Sequence, residues 1–178
     1  MSKDSSKYDK LTQREHVLVR SDTYVGSIEC TDEEHWIYDE EKNKMKKKTI
    51  KFTPGFLKIF DEILVNSADA SQNDKTCDTI KIEYNKEEGY ISVWNNGDNG
   101  IPIEEHEKHK MLIPTMIFGE LLTGSNFDDT AERTTGGRNG LGAKLVNIFS
   151  TKFIVEIIDG KRKKKIYSRM VRKYVCSW

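Results

Sequence analysis

Apolar positions along this chain follow two rhythms, and the changes between them mark its elements. Residues 1–13 are polar and read as a flexible arm, with a short helix expected near Gln13–Val19. Residues 21–26 read as a turn. Residues 36–38 and 49–52 read as strands, linked by a charged loop over 40–48. Thr53-Pro54-Gly55 is a good helix start, because proline is tolerated in a first turn. The helix it opens runs to about Ser71, with Phe56, Leu57, Ile59, Phe60, Ile63, Leu64 and Val65 around most of its circumference. A helix this apolar is expected to be buried.

Residues 79–84 alternate as a strand, Glu87-Glu88-Gly89 turns the chain, and residues 90–94 return. Asn95-Asn96-Gly97-Asp98-Asn99-Gly100 then forms a loop able to adopt unusual backbone angles. A second helix is expected over 111–122, and a polar lid over 124–135. The glycine-rich run Gly136-Gly137-Arg138-Asn139-Gly140-Leu141-Gly142 leads into a helix over 142–148. Residues 153–158 and 165–171 pair as a hairpin turning at Asp159-Gly160. Helices interspersed with hairpins predict an α+β sandwich rather than a parallel doubly wound sheet.

Charge and cysteine content narrow the function classes only a little. Lys and Arg total 29, as do Asp and Glu, so net charge neither supports nor excludes a nucleic-acid partner. The three cysteines, Cys30, Cys77 and Cys176, are far apart and form no Cys-x-x-Cys, which speaks against a disulfide framework or a zinc site. The first ten residues carry no apolar secretory core, and no apolar run reaches membrane-spanning length.

Candidate chemistry lies in two stretches. Glu62, Asn66 and Asp69, at i, i+4 and i+7, share one face of the apolar helix. A buried carboxylate wants a partner, solvent or a proton, and a buried amide wants partners. This face therefore lines either a polar cavity or a satisfied network within the core. The run from Gly137 to Lys144 can offer backbone N–H groups and a helix N-terminus to phosphate. It is not a P-loop, because Ala143 separates Gly142 from Lys144 and Leu145 follows. The glycine spacing does not fit a dinucleotide fingerprint either, so by itself the run is equally a plain loop.

Order and separation of these stretches together resemble the nucleotide-binding fold shared by DNA gyrase, the chaperone Hsp90, histidine kinases and MutL. Within it the chain is most similar to the eukaryotic-type DNA topoisomerase II family. The residues carrying the resemblance include Asp22-Thr23-Tyr24-Val25-Gly26-Ser27, Phe60-Asp61-Glu62-Ile63-Leu64-Val65-Asn66, Trp94-Asn95-Asn96-Gly97, Ser125-Asn126-Phe127-Asp128-Asp129 and Thr135 through Lys144, and it covers about residues 7–158.

That resemblance implies a Bergerat-type fold, a two-layer sandwich of helices on a mixed, mainly antiparallel sheet, with an ATP-binding domain over 14–178 that stops before a transducer domain. It implies ATP and Mg²⁺ as cofactors, Glu62 as the general base, and Asn66 as the magnesium-holding amide. Asn95 would contact the nucleotide, and Ser125 and Asn126 would line its ribose and phosphate side. Gly137, Arg138, Asn139, Gly140, Leu141, Gly142 and Ala143 would wrap the triphosphate, with Lys144 supplying positive charge. Tyr8 resembles the arm tyrosine that reaches a partner's nucleotide, which implies a homodimer formed on ATP binding. DNA would be the partner of the full-length enzyme, with nuclear placement in a cellular eukaryote.

The family reads Asn-Asn-Gly-x-Gly-Ile-Pro where this chain has one residue more, Asn95 to Pro102, so the nucleotide-facing amide is Asn95 counted from Trp94, or Asn96 counted back from Gly100. The basic residues from Lys161 onward read as a solvated turn, with contact to DNA phosphates as the alternative. Two alternatives to the topoisomerase reading are a nucleotide-binding fragment without catalysis of its own and a chaperone ATPase of the Hsp90 type.

Overall fold

The computed structural model describes residues 8–123, 136 and 140–171, and the chain divides into two units, one ending at Lys58 and the other beginning at Ile59. Residues 1–7 of the arm and the whole of the expected lid lie outside the described residues.

The first unit holds α1 (Gln13–Val19), α2 (Ser21–Tyr24), β1 (Thr31–Asp39), β2 (Lys44–Phe52) and the start of α3 (Pro54–Asn73). Thr12 and Glu15 form a reciprocal capping box that starts α1 where the sequence predicts it. The expected turn at 21–26 is instead a single helical turn, closed by the Val25 N–H on the Ser21 carbonyl and left through Gly26 at φ +84°.

The charged loop expected over 40–48 is a second correction, since Lys44 to Lys48 are strand. Lysine has little intrinsic strand preference, but the pairing supplies what the run lacks. Lys46 meets Asp39 at 2.6 Å, Lys47 meets Glu34 at 3.0 Å, and Lys47 also lies over the Trp36 ring at 5.9 Å.

The second unit continues α3 and adds β3 (Ile80–Asn85), β4 (Tyr90–Asn95), α4 (Ile113–Gly119), α5 (Gly142–Phe149), β5 (Lys152–Asp159) and β6 (Lys164–Val171). Among the described residues the strands of both units pair as antiparallel hairpins, β1 with β2, β3 with β4 and β5 with β6. The core of the second unit is built on α5, whose Ala143, Leu145, Val146, Ile148 and Phe149 are buried, together with Val155 of β5 and Ile103.

Two expectations need amending. α4 is shorter than the predicted 111–122, because Thr123 Oγ1 donates to the carbonyls of Met116 and Glu120 at 2.8 Å each and Leu122 turns left-handed, at φ +60°. α3 is not buried around its circumference: Phe56 and Leu57 are more than half exposed, and Ile63 to Val65 are half-buried. Apolar periodicity reports where a helix can be covered, and the described residues cover only part of this one.

Candidate nucleotide site

The polar face of α3 is the floor of the site. Glu62 and Asp69 are half-buried on it and Asn66 is exposed. The described glycines lie along that face in the opposite direction. A side chain at Gly142 would bring its Cβ to 2.1 Å from Glu62 Oε2, and one at Gly136 would come to 2.8 Å from Val65 Cγ1. The Gly136 N–H also donates to Asp69 Oδ1 at 2.8 Å. Glu62 to Asp69 is seven residues, or about 10 Å of helix. Gly136 therefore lies at the Asp69 end of the face and Gly142 at the Glu62 end, and at these two positions only a residue without a Cβ permits the approach.

Gly140 is fixed differently. At φ +61° it takes a left-handed conformation, and its Cβ would stand 2.4 Å from the Thr123 carbonyl oxygen. The same carbonyl accepts a short hydrogen bond from Lys144 Nζ. Thr123 thus holds both the turn of the glycine run and its lysine, a role that nothing in the sequence marks.

α5 begins at Gly142 with Leu141 at its cap, a residue with no side-chain acceptor to offer the first-turn N–H groups. Those N–H groups and Lys144, in the same turn, form a positive end that suits an anion. Lys144 is 4 % exposed, and burial pushes its ammonium from 10.5 down to about 8.

This has a consequence for stability. The unfolded chain keeps the Lys144 proton up to about 10.5, whereas the folded chain releases it from about 8. Between these values the unfolded state binds more protons, so stability rises with pH. Urea midpoints of the native chain should climb across that window relative to those of Lys144→Met. Equal slopes for the two proteins would show that Lys144 does not carry a buried charge.

Asn95, the last residue of β4, faces α3. Its Oδ1 accepts from Ser67 Oγ at 3.1 Å, one residue beyond Asn66, and its Nδ2 donates to the Asn96 carbonyl at 3.0 Å and lies 3.7 Å from Cys77 Sγ. Asn96 points instead to the residues just before β3, accepting from the Thr79 N–H and donating to Asp78 Oδ1. Of the two amides, Asn95 is the one on the α3 side.

Asp74 and Thr76, just past α3, were not among the residues the sequence singles out, although an Asp-x-Thr after a helix is a recognisable turn signal. Asp74 accepts from the Thr76 N–H, the Thr76 hydroxyl and the Asn99 N–H, and these bonds hold its carboxyl down at about 2.

Ser125, Asn126, Gly137, Arg138 and Asn139 lie outside the described residues, and Tyr8 belongs to the first unit, where it is 87 % exposed. The basic turn after β5 is more than a solvated loop. Lys161 donates to Asn99 Oδ1, Arg162 to Glu104 and Asp159, and Lys164 to the Ile103 carbonyl at 3.1 Å. Asp159 in turn accepts from the Ile103 N–H at 3.0 Å.

Among the described residues no group of three or more His, Cys, Asp or Glu could hold a metal, and no helix is long and apolar enough to cross a membrane. The donor set on the α3 face is the Asn66 amide with the carboxylates of Glu62 and Asp69 one helical turn to either side of it. Such a set matches a magnesium ion that keeps waters and takes its other oxygens from a bound phosphate chain.

Comparison with known proteins gives the family. Residues 53–165 match the family described as histidine kinase-, DNA gyrase B-, and HSP90-like ATPase. DNA topoisomerase 2 of Penicillium chrysogenum is 56 % identical over 161 residues, which is 90 % of this chain and 10 % of that protein. Human DNA topoisomerase 2-alpha is 52 % identical over 157 residues, 88 % of this chain and 10 % of that protein. The chain therefore spans about a tenth of the length of these relatives. The ATPase region of Saccharomyces cerevisiae topoisomerase II superposes with a TM-score of 0.91 at 50 % identity, covering 94 % of this chain and 44 % of that one. The fold is that of this ATPase region, helices with antiparallel strand pairs, as the sequence predicts.

Proposed function

The chain belongs to the histidine kinase-, DNA gyrase B- and HSP90-like ATPase family, and on that premise we propose that it is the ATP-binding and ATP-hydrolysing N-gate portion of a type II DNA topoisomerase. ATP-driven passage of one DNA duplex through another would be the work of the longer protein. The observation that carries the reading is the close approach of Gly136 and Gly142 to the Glu62–Asp69 face. It sets a carboxylate and an amide beside backbone N–H groups at a helix N-terminus, which is what a triphosphate and an attacking water require together.

In this reading Glu62 takes the proton of the attacking water. Asn66 holds Mg²⁺, which would neutralise charge on the phosphate oxygens. Gly140, Leu141, Gly142 and Ala143, with Gly137, Arg138 and Asn139 before them, wrap the triphosphate. Lys144 adds a compact positive charge at the buried end, and a bound phosphate would add an anionic partner to the Thr123 carbonyl that its ammonium already meets. Asn95 meets the base side, and Ser125 and Asn126 the ribose and phosphate side. Homodimerisation on ATP through the arm bearing Tyr8, DNA as the substrate and a nuclear location complete the proposal. It draws support from half-identical relatives named as type II topoisomerases. The chaperone alternative has no comparable support.

Calorimetric titration of this chain with ATP and Mg²⁺ should give saturable binding of one nucleotide, with amide shifts at residues 140–144 in nuclear magnetic resonance. Absence of binding, or shifts confined to other segments, would reject the site.

A further inference from the structure

The loop that follows Asn95 is held from outside itself. Asp74 Oδ2 accepts the Asn99 N–H at 2.7 Å, and Thr76 Oγ1 accepts the Asp98 N–H at 2.8 Å. Thr76 Oγ1 also donates to Asp74 Oδ1 at 2.7 Å, so one hydroxyl ties the carboxylate to the loop. Two consecutive loop amides are thus fixed by a pair of residues more than twenty positions earlier. Gly97, at φ +133°, passes so close that a Cβ there would meet Asp74 Oδ2 at 2.9 Å and Cys77 Cβ at 3.1 Å. From the other side Lys161 donates to Asn99 Oδ1. Asp74 is buried, and its depressed pKa keeps it a charged acceptor throughout the neutral range.

We infer that Asp74 and Thr76 are positioning residues that aim the Asn95 amide at the base of the nucleotide, and so set the preference for a nucleotide over bare polyphosphate. The inference rests on the ATP reading above. Asn95 ends β4 where the loop begins and is anchored to Ser67 on α3, next in sequence to the proposed magnesium amide. Holding the loop's far end at Asp98 and Asn99 leaves the segment between these anchors one path. The extra residue that this chain carries there makes such a clamp necessary, because a longer loop has more conformations to lose. The glycine run binds phosphate independently of this clamp.

Thr76→Val keeps the shape of the side chain and removes the hydroxyl that joins Asp74 to Asp98. Its dissociation constant for ATP with Mg²⁺ should rise about tenfold, the scale of one or two hydrogen bonds. Its affinity for inorganic tripolyphosphate, which has no base, should change by less than about twofold. Thr76→Ser should restore ATP binding, and Asp74→Asn, a second shape-preserving change, should lower the ATP-to-tripolyphosphate ratio as Thr76→Val does. The positioning role is overturned if both variants bind ATP like the native chain, or lose ATP and tripolyphosphate by the same factor. A native chain that binds tripolyphosphate but not ATP overturns it as well. A native chain that binds neither ligand defeats the ATP reading itself.

Discussion

Glu62→Gln should leave ATP bound and unhydrolysed. Glutamine keeps the length and shape of the side chain and still fits beside Gly142, but it cannot take a proton from water. A positioned general base contributes roughly 10²- to 10⁴-fold, so turnover should fall by that factor. The corresponding barrier increase is about 3–5 kcal/mol. Affinity should move little, because in the proposed site the triphosphate rests on backbone N–H groups and Lys144 and not on the carboxylate. Removing that negative charge can even tighten binding slightly. The measurement is phosphate release and nucleotide affinity in a chain extended through the rest of the ATPase region, of which this chain covers 44 % in the yeast structure. Unchanged turnover would remove Glu62 from the role of base, and lost binding would mean that it holds the ligand instead.

How much of this was legible in the sequence depended on whether a feature was local. The start of α3 was, because Pro54 after Thr53 is a chemical signal contained in a few residues. The Glu62–Asn66–Asp69 face was legible for the same reason, since helical periodicity alone puts these residues together. The β2 lysines were misjudged because their strand depends on an acidic and aromatic partner strand, which is a pairing property and not a property of the run.

The link from Thr123 to Lys144 escaped attention because it is made through a backbone carbonyl, and a carbonyl leaves no mark on residue identity. The Asp74–Thr76 clamp was half legible. Its Asp-x-Thr turn can be read locally, but its reach to residues 98 and 99 comes only from the fold. The exposed apolar turn of α3 marks the opposite limit: periodicity said the face could be buried, and could not say by what.

Two single-methyl changes in the glycine run should fail in opposite ways. Gly140→Ala should cost folding. Its residue sits at φ +61°, where an L side chain is strained by about 1–2 kcal/mol. The added Cβ would also lie 2.4 Å from the Thr123 oxygen and 2.8 Å from its carbonyl carbon, which are backbone atoms that cannot step aside alone. Overpacking of that kind adds about 1–3 kcal/mol, so a loss of about 2–5 kcal/mol is expected in urea unfolding.

Gly142→Ala faces no such backbone. It opens α5, where alanine is the better helix former by about 1 kcal/mol. The atom in its way is Glu62 Oε2 at 2.1 Å, the far end of a flexible side chain. The carboxylate should swing aside, leaving stability within about 1 kcal/mol of the native value. Hydrolysis should then drop by roughly 10²-fold, because a base displaced by about an ångström no longer meets its water. Equal losses of stability in the two variants, or full turnover in Gly142→Ala, would show that the contact between the glycine run and Glu62 has no part in the chemistry.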